Sequence, residues 1–282
     1  MSERTVRLLH VSDIHCGHPF VARHVAAAER VAASLSVDAV IVSGDMSQRA
    51  REHEFREARA VLDRFAAIAP MIVVPGNHDT EWWQAPFGIG RRSHIHDRWR
   101  ALIQPETEPT LRLPGVSIVG LNSAAGMLPH ALTWYARDWR VKGGLTKAQL
   151  NDAEARLSQS PSGDLRVLLL HHNLVRGRLS NRWGLTRPRR MLDAVAALRV
   201  DLVCAGHDHE ERVELVQRQT GRFVSSTANT LSSRMRGHRA SEVTVIEADL
   251  RAIRVTVWTF DARCSEFVEG ERSTFPRELP QA

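Results

Sequence analysis

Five short polar blocks in the sequence carry carboxylate, amide and imidazole side chains, the oxygen and nitrogen donors that bind transition metals. The blocks are Asp13-Ile14-His15, Gly44-Asp45, Gly76-Asn77-His78-Asp79, His171-His172 and Gly206-His207-Asp208-His209. Each block follows an apolar run that suits a buried strand, so we expect the blocks at the carboxyl ends of strands, along one rim of a sheet. The pattern predicts a hydrolytic centre that holds two metal ions.

The spacing of the first three blocks predicts consecutive strand-helix-strand units. Asp13 and Asp45 are 32 residues apart, and so are Asp45 and Asn77, which is about the length of a strand, a crossover helix and the next strand. Apolar residues recur at helical spacing in both intervals, from Val21 to Leu35 and from Phe55 to Phe65. Such units require parallel strands, which bring the blocks to the same rim.

The donors in these blocks suggest different roles. Asp13 and His15 are two residues apart, so strand alternation would point both side chains toward one cation if the strand persisted that far. Asp45 is the candidate to bridge two cations, and Asn77 adds a neutral carbonyl oxygen. Further nitrogen donors come from His171, His207 and His209. A set of nitrogen and oxygen donors suits manganese, iron or zinc and argues against a thiolate zinc site.

The remaining patterns predict an α/β fold in which two mixed sheets pack face to face with helices outside, a four-layer αββα sandwich. A helix from Thr146 to about Ser158, with Thr146 as N-cap, leads to the strand before His171, and a helix from Pro188 to Leu198 leads to the next strand. Antiparallel strand patterns follow His209, at Arg212 to Gln217, Arg222 to Ser226, Ser241 to Glu247 and Ala252 to Thr259.

We predict a single domain over residues 1–260. Irregular, tryptophan-containing stretches indicate inserted cap-like segments at about 80–114 and 122–144. The tail over 261–282 has little periodicity, so we expect it to be partly disordered.

Composition narrows the class of protein. The chain has 282 residues, 43% of them hydrophobic, and its apolar runs are too short to cross a bilayer. No signal-like segment precedes the first strand, which predicts a cytoplasmic protein without a membrane partner. Three cysteines without paired-ligand spacing argue against a disulfide framework. The net charge of +6 allows an anionic partner, but the arginines are spread over the whole chain, so nucleic acid is possible and not favoured.

The residue types and their order resemble the calcineurin-like metallophosphoesterase superfamily. Its pattern of Asp-x-His, Gly-Asp, Gly-Asn-His-Asp/Glu, His and Gly-His-x-His is met block by block from position 13 to 209. The resemblance implies a phosphoric ester hydrolase with two transition-metal ions. It implies that Asp13, His15 and His209 hold one metal, that Asn77, His171 and His207 hold the other, and that Asp45 bridges them. It also implies a catalytic role for His78, which binds neither metal.

Within the superfamily, the sequence most resembles bacterial class III cyclic nucleotide phosphodiesterases and their unassigned relatives. This resemblance implies hydrolysis of a small anionic phosphodiester, such as a cyclic nucleotide, by a hydroxide that bridges the metals. Many of these relatives share the stretch Ser233-Arg234-Met235-Arg236-Gly237, so Arg234 and Arg236 are candidate substrate contacts, together with His172. The sequence departs from that group at His171-His172-Asn173, where His-His-Pro is usual.

Three other functions stay open. A nuclease of the DNA-repair type fits the basic charge, although no coiled-coil segment follows the proposed catalytic part. A lipid-precursor pyrophosphatase would be expected to have a more apolar cap than residues 80–114. A non-catalytic scaffold is the least favoured, because such a protein should lack some of the proposed ligands, and none is missing.

Overall fold

The computed structural model describes residues 4–81, 94–124, 142–235 and 240–278. Two six-stranded mixed sheets dominate this part of the chain. The first sheet has the spatial order β12-β11-β10-β1-β2-β3, with β1 Val6–Val11, β2 Ala39–Val42, β3 Met71–Val73, β10 Glu242–Ala248, β11 Ala252–Asp261 and β12 Glu266–Pro276. The second has the order β4-β5-β6-β7-β9-β8, with β4 Thr110–Leu113, β5 Val116–Gly120, β6 Leu165–His172, β7 Leu202–Gly206, β8 Arg212–Arg218 and β9 Gly221–Thr227.

Five α-helices are described beside these sheets. They are α1 Ala22–Ser34, α2 Glu52–Ala66, α3 Asp97–Leu102, α4 Lys147–Ser158 and α5 Pro188–Ala197. Helix α4 begins as expected: the Thr146 hydroxyl accepts a hydrogen bond from the backbone amide of Gln149, whose side chain accepts one from the amide of Thr146. None of the helices in the described ranges combines the length and hydrophobicity needed to cross a membrane.

Alternation along the strands builds the four layers. In β1, Leu8 packs between the two sheets, whereas Leu9 faces the helices α1 and α2. Ile41 and Val40 divide in the same way in β2. A third buried cluster joins the outer face of the second sheet to α4 and α5. Both sheets are therefore buried on two faces, which confirms the predicted αββα sandwich.

Parallel pairing brings the carboxyl ends of six strands to one rim. β1, β2 and β3 run parallel in the first sheet, and β5, β6 and β7 run parallel in the second. The antiparallel pairing expected after His209 is confirmed between β8 and β9, but β9 also pairs parallel with β7, which the sequence pattern did not predict. The sequence does not reveal the parallel pairing of β9 with β7, because β8 lies between these two strands along the chain.

Two predicted boundaries need correction. The segment expected to be cap-like at 80–114 ends in core structure: Trp99 in α3 is fully buried and lies edge-on to Phe55 of α2, and β4 joins the second sheet. Residues 82–93 and 125–141 of the two predicted inserts lie outside the described residues, so the cap itself stays a prediction.

The C-terminal tail is not disordered over Glu266–Pro276, which forms β12 and pairs in register with β11. This strand has no helical or alternating apolar pattern because it is an edge strand, and most of its residues are exposed. Arg277 follows it with a side chain that is only 3% exposed. Its guanidinium donates two hydrogen bonds of 3.1 Å to the carboxylate of Asp201 and others to the carbonyl oxygens of Gly163, Asp164 and Asp249.

We predict that Arg277→Ala lowers the free energy of unfolding by about 3–5 kcal/mol, because the substitution removes the cation paired with the Asp201 carboxylate and the donor to three carbonyl groups. Urea denaturation of the purified protein measures the change. The matched control is Arg263→Ala, which removes a 90% exposed guanidinium paired with Asp261 and should change stability little. An Arg277→Ala protein as stable as this control would contradict the prediction.

Candidate metal centre

The predicted ligands occupy the rim at which the parallel strands end. Asp13 and His15 follow β1, Asp45 follows β2 and Asn77 follows β3, all in the first sheet. The second sheet contributes imidazoles from the end of β6 and from the loop after β7, namely His171, His207 and His209. The site is therefore built across both sheets of the sandwich.

Backbone hydrogen bonds hold two of these loops side by side. The amide of Asp13 donates to the carbonyl oxygen of Gly44 at 3.0 Å, and the amide of His15 donates to that of Asp45 at 2.9 Å. Five of the predicted ligands have left-handed backbone angles, with φ of 54° at Asp13, 51° at His15, 51° at Asp45, 72° at His207 and 52° at His209. Such angles cost energy in non-glycine residues and concentrate at functional sites.

The left-handed angles also correct one expectation. β1 ends at Val11, so strand alternation does not direct Asp13 and His15 toward the same point. Instead, the chain turns sharply at each of them, and the turns bring both side chains together.

The first cluster consists of Asp13, His15 and His209. Asp13 Oδ1 lies 3.0 Å from His209 Nε2 and 3.7 Å from His15 Nε2, and the two imidazole nitrogens are 3.2 Å apart. Donors bound at about 2.1 Å to one ion at right angles are separated from each other by about 3.0 Å. The spacing of the three donor atoms therefore suits a single ion.

The second cluster consists of Asn77, His171 and His207. Asn77 Oδ1 lies 2.8 Å from His207 Nδ1 and 3.1 Å from His171 Nε2, and the two imidazole nitrogens are 3.3 Å apart. The donor atoms again converge at the spacing expected around one ion.

One carboxylate oxygen of Asp45 lies between the clusters. Asp45 Oδ2 is 3.9 Å from His15 Nε2 in the first cluster and 3.4 Å from His171 Nε2 in the second. Its other oxygen, Oδ1, accepts a hydrogen bond of 2.8 Å from the backbone amide of His78. Asp45 thus has the position of a bridging ligand.

The hydrogen-bond partners of the predicted ligands also fit metal ions. His171 Nδ1 donates to the carbonyl oxygen of Ser43 at 2.7 Å, and His209 Nδ1 donates to that of Arg234 at 2.6 Å, so each ring presents the lone pair of Nε2 to its cluster. Asp13 Oδ1 is fully buried, and no described group hydrogen-bonds to it in good geometry. A buried carboxylate oxygen among imidazole lone pairs fits a cation.

The electrostatics of the clusters point the same way. Burial works against a charge on Asp45, but the imidazoles around it, His171 first, outweigh burial and hold the pKa of Asp45 well below its usual range. The Asp45 carboxylate in turn overcomes burial at His171 and raises the pKa of that imidazole to about 9. Burial lowers the pKa of His207 to about 3. Without a bound ion, a proton on His171 Nε2 compensates the charge of Asp45; with an ion in the second cluster, the same nitrogen would present its lone pair instead.

Asp79 connects two of the ligand loops. Its carboxylate is fully buried and accepts hydrogen bonds from the backbone amides of Gly76, Met46 and Ser47 and from the Ser47 hydroxyl, at 2.8 to 3.1 Å. Asp79 therefore caps the turn that begins at Gly76 and holds it against the loop that follows Asp45.

His78 lies beside the first cluster, and its ring nitrogens bond elsewhere. Nδ1 donates to the carbonyl oxygen of Gln48 at 2.7 Å, and Nε2 lies 3.3 Å from a guanidinium nitrogen of Arg234. The ring packs edge-on against His15, with 4.9 Å between centroids. The structure therefore separates His78 from the metal-facing donors.

Of the three candidate substrate contacts, two lie in the described part of the chain. Arg234 is exposed, and its guanidinium also bonds to Gln48 Oε1 at 3.2 Å. His172 is buried, with its ring centroid 4.5 Å from that of His207 and its Nδ1 2.8 Å from the Ser123 hydroxyl. Arg236 lies outside the described residues, so its role stays a prediction.

Sequence reasoning did not find Gln48, Ser43 or Ser123. The atoms that hold the His78 and His171 rings are the backbone carbonyl oxygens of Gln48 and Ser43, and any residue supplies such an oxygen, so residue type does not mark these positions. Ser123 meets His172 only because β5 and β6 are neighbours in the sheet. His96 is buried and contacts Asn122 and Ala124.

Several solved structures share this fold at low sequence identity. A purple acid phosphatase from yellow lupin (Lupinus luteus) seeds has a TM-score of 0.67 and 12% identity, over 98% of this chain and 55% of the lupin chain. A dimetal phosphatase from Danio rerio has a TM-score of 0.64 and 13% identity, over 96% and 98% of the two chains. GAP50, the anchor in the inner membrane complex of Plasmodium, has a TM-score of 0.58 and 11% identity, over 98% and 90%. This chain thus spans about half the length of the lupin protein.

Comparison with curated protein sequences gives no match. The sequence profile of the calcineurin-like phosphoesterase family matches residues 6–211, a range that contains all seven predicted metal ligands. The chain therefore belongs to the calcineurin-like phosphoesterase family.

Proposed function

We propose that this protein is a metal-dependent phosphodiesterase that hydrolyses a small phosphodiester. The observation that carries the proposal is the pair of donor clusters that share Asp45 Oδ2, with the His78 and Arg234 side chains beside them. The resemblance of the motif residues to class III cyclic nucleotide phosphodiesterases favours a diester over a monoester. We also propose a cytoplasmic location and a small anionic substrate.

The residues of the two clusters would hold two transition-metal ions. Asp13, His15 and His209 would bind one ion, Asn77, His171 and His207 the other, and Asp45 both. When bound, the ions would lower the pKa of a water and neutralise the charge of the phosphoryl oxygens. Manganese, iron and zinc all accept these nitrogen and oxygen donors.

His78 and Arg234 would act on the substrate directly. The hydrogen bond from His78 Nδ1 to the Gln48 carbonyl fixes the ring and leaves Nε2 beside the Arg234 guanidinium. A proton on Nε2 would pass to the departing alkoxide oxygen. The Arg234 guanidinium, which contacts the same nitrogen, would donate hydrogen bonds to the phosphoryl oxygens.

The alternatives differ in what they require of the chain. A scaffold needs no intact site, whereas all seven predicted ligands are present and converge here. A DNA-repair-type nuclease or a lipid-precursor pyrophosphatase would use the same clusters with a different substrate. A panel of cyclic nucleotides, phosphomonoesters, aryl and alkyl phosphodiesters and single-stranded DNA, assayed with Mn²⁺, separates these activities. Preference for DNA or for phosphomonoesters would overturn the proposal.

We predict that Asp45→Ala lowers the metal content from about two ions to at most one ion per chain, because the shared carboxylate is lost from both clusters. Elemental analysis after dialysis against metal-free buffer measures the content. The matched control is Asp97→Asn, which changes an exposed carboxylate paired with His94 and should retain both ions. Equal metal content in the two variants would remove Asp45 from the centre.

We predict that His78→Ala keeps the metal content of the wild type and lowers kcat on an alkyl phosphodiester by about 10²- to 10⁴-fold. The loss should be much smaller on a 4-nitrophenyl diester, since nitrophenolate leaves without a proton. His94→Ala is the control, because His94 is exposed and bonds to Asp97. Equal losses on the two substrates would show that His78 does not protonate the leaving group.

We predict that Arg234→Ala lowers kcat/KM by about 10- to 100-fold without loss of metal. The substitution removes the guanidinium beside His78 but keeps the backbone carbonyl that orients His209. Steady-state kinetics and elemental analysis of the same preparation test this. Loss of metal would show that Arg234 acts through His209 instead.

A further inference from the structure

The chain from the start of β6 into the first turns of α5 is strongly basic. No aspartate or glutamate occurs from Leu165 to Leu192, and seven arginines do. Six of them are exposed, at positions 176, 178, 182, 187, 189 and 190. We call residues 173–190 the arginine segment.

In the part of the chain that the structure describes, these six arginines form no ion pair with an acidic residue. Most other described arginines form ion pairs, such as Arg59 with Asp63 and Arg64 with Glu29. Within the described ranges, no carboxylate lies within ion-pair distance of any arginine in the segment. Several like charges held on one surface repel each other, and an anion would relieve that repulsion.

The segment is fixed to the metal centre from two sides. Asp208 and Glu210 alternate with the predicted ligands His207 and His209, and they accept hydrogen bonds from the Ser180 hydroxyl and from the backbone amide of Leu179, both at 2.8 Å. The middle of the arginine segment therefore packs against the loop that carries His207 and His209.

Its far end is fixed through Gly143. The Thr186 amide donates to the Gly143 carbonyl oxygen at 2.9 Å, and the Gly143 amide donates to that of Gly184 at 2.9 Å. A Cβ atom at Gly143 would lie only 2.3 Å from His172 Nδ1, so this backbone packs directly on the imidazole. Arg187 follows at once, and Arg187, Arg189 and Arg190 line one open depression with Pro188.

Arg189 and Arg190 also occupy the first turn of α5, where the helix dipole disfavours positive charge. The positions therefore do not serve the stability of the helix. Replacing these two arginines by neutral residues should not unfold it.

We propose that the arginine segment binds a second phosphate group of the substrate, so that the preferred phosphodiester carries a further phosphate beyond the scissile one. The inference rests on the proposed phosphodiesterase function and narrows it to substrates such as a nucleoside 5′-phosphodiester that also carries a 3′-phosphate. The scissile phosphate lies at the clusters, and the second phosphate contacts Arg187, Arg189 and Arg190.

Two chromogenic substrates that differ only in the second phosphate test this. They are the 4-nitrophenyl ester of thymidine 5′-phosphate and the same ester with a 3′-phosphate. With Mn²⁺ at low salt, we expect the wild type to have a KM about tenfold lower for the 3′-phosphorylated ester. R189Q/R190Q should abolish this preference by raising that KM, and added salt should weaken it.

The matched control is R112Q/R199Q, which removes two charges outside the segment and should keep the preference. A folded R189Q/R190Q protein with the KM ratio of the wild type would overturn the inference. If the wild type cleaves neither ester, the proposed function fails. Calorimetric titration with thymidine 3′,5′-bisphosphate and thymidine 5′-monophosphate then tests the inference without catalysis. The wild type should bind the bisphosphate more tightly, and R189Q/R190Q should bind the two ligands equally. Equal affinities of the wild type for the two ligands would refute the inference.

Discussion

The shared carboxylate of Asp45 is the interaction on which the rest of this site depends. Its Oδ2 atom lies within 4 Å of an imidazole nitrogen from each cluster, and both of its neighbours are buried. A charge buried in this way is tolerated only beside compensating charge. Without metal, the protonated His171 provides that compensation, which explains why its pKa is raised despite burial. Ions in the two clusters would provide it more completely, because they would neutralise Asp13 as well.

The fold meets this requirement by joining two sheets at one rim. The first sheet supplies both carboxylates, and the second supplies three of the four cluster imidazoles. Neither sheet alone could satisfy the buried charges, so metal binding would depend on the docked sandwich, and bound metal would stabilise it in return. The strained backbone at Asp13, His15 and Asp45 is consistent with this coupling, because packing and ligation together must offset its cost.

Much of this arrangement was predictable, and the failures have physical causes. The 32-residue spacing predicts the parallel strands, and helical periodicity predicts the ends of α1 and α2 to within a few residues. The tail containing β12 was missed because an exposed edge strand need not alternate, and Trp99 was placed in a cap because a short helix has too few turns to show a period. The left-handed turns at Asp13 and His15 were missed because residue type does not encode them. The Nδ1 atoms of His78 and His171 donate to backbone carbonyl oxygens, and residue type does not encode such partners.

The loop after β7 positions both predicted metal ligands and the segment proposed to contact the substrate. In Gly206-His207-Asp208-His209-Glu210, the imidazoles turn to the clusters, while Asp208 and Glu210 hold the arginine segment. Asn173, at the position where the class III pattern described above usually has proline, donates to the Val175 carbonyl and packs against Gly184, where a Cβ would lie 2.3 Å from its Oδ1. A proline cannot make this side-chain bond. Asn173 therefore shapes the arginine segment, which we propose to bind substrate, and it does not alter the predicted metal ligands.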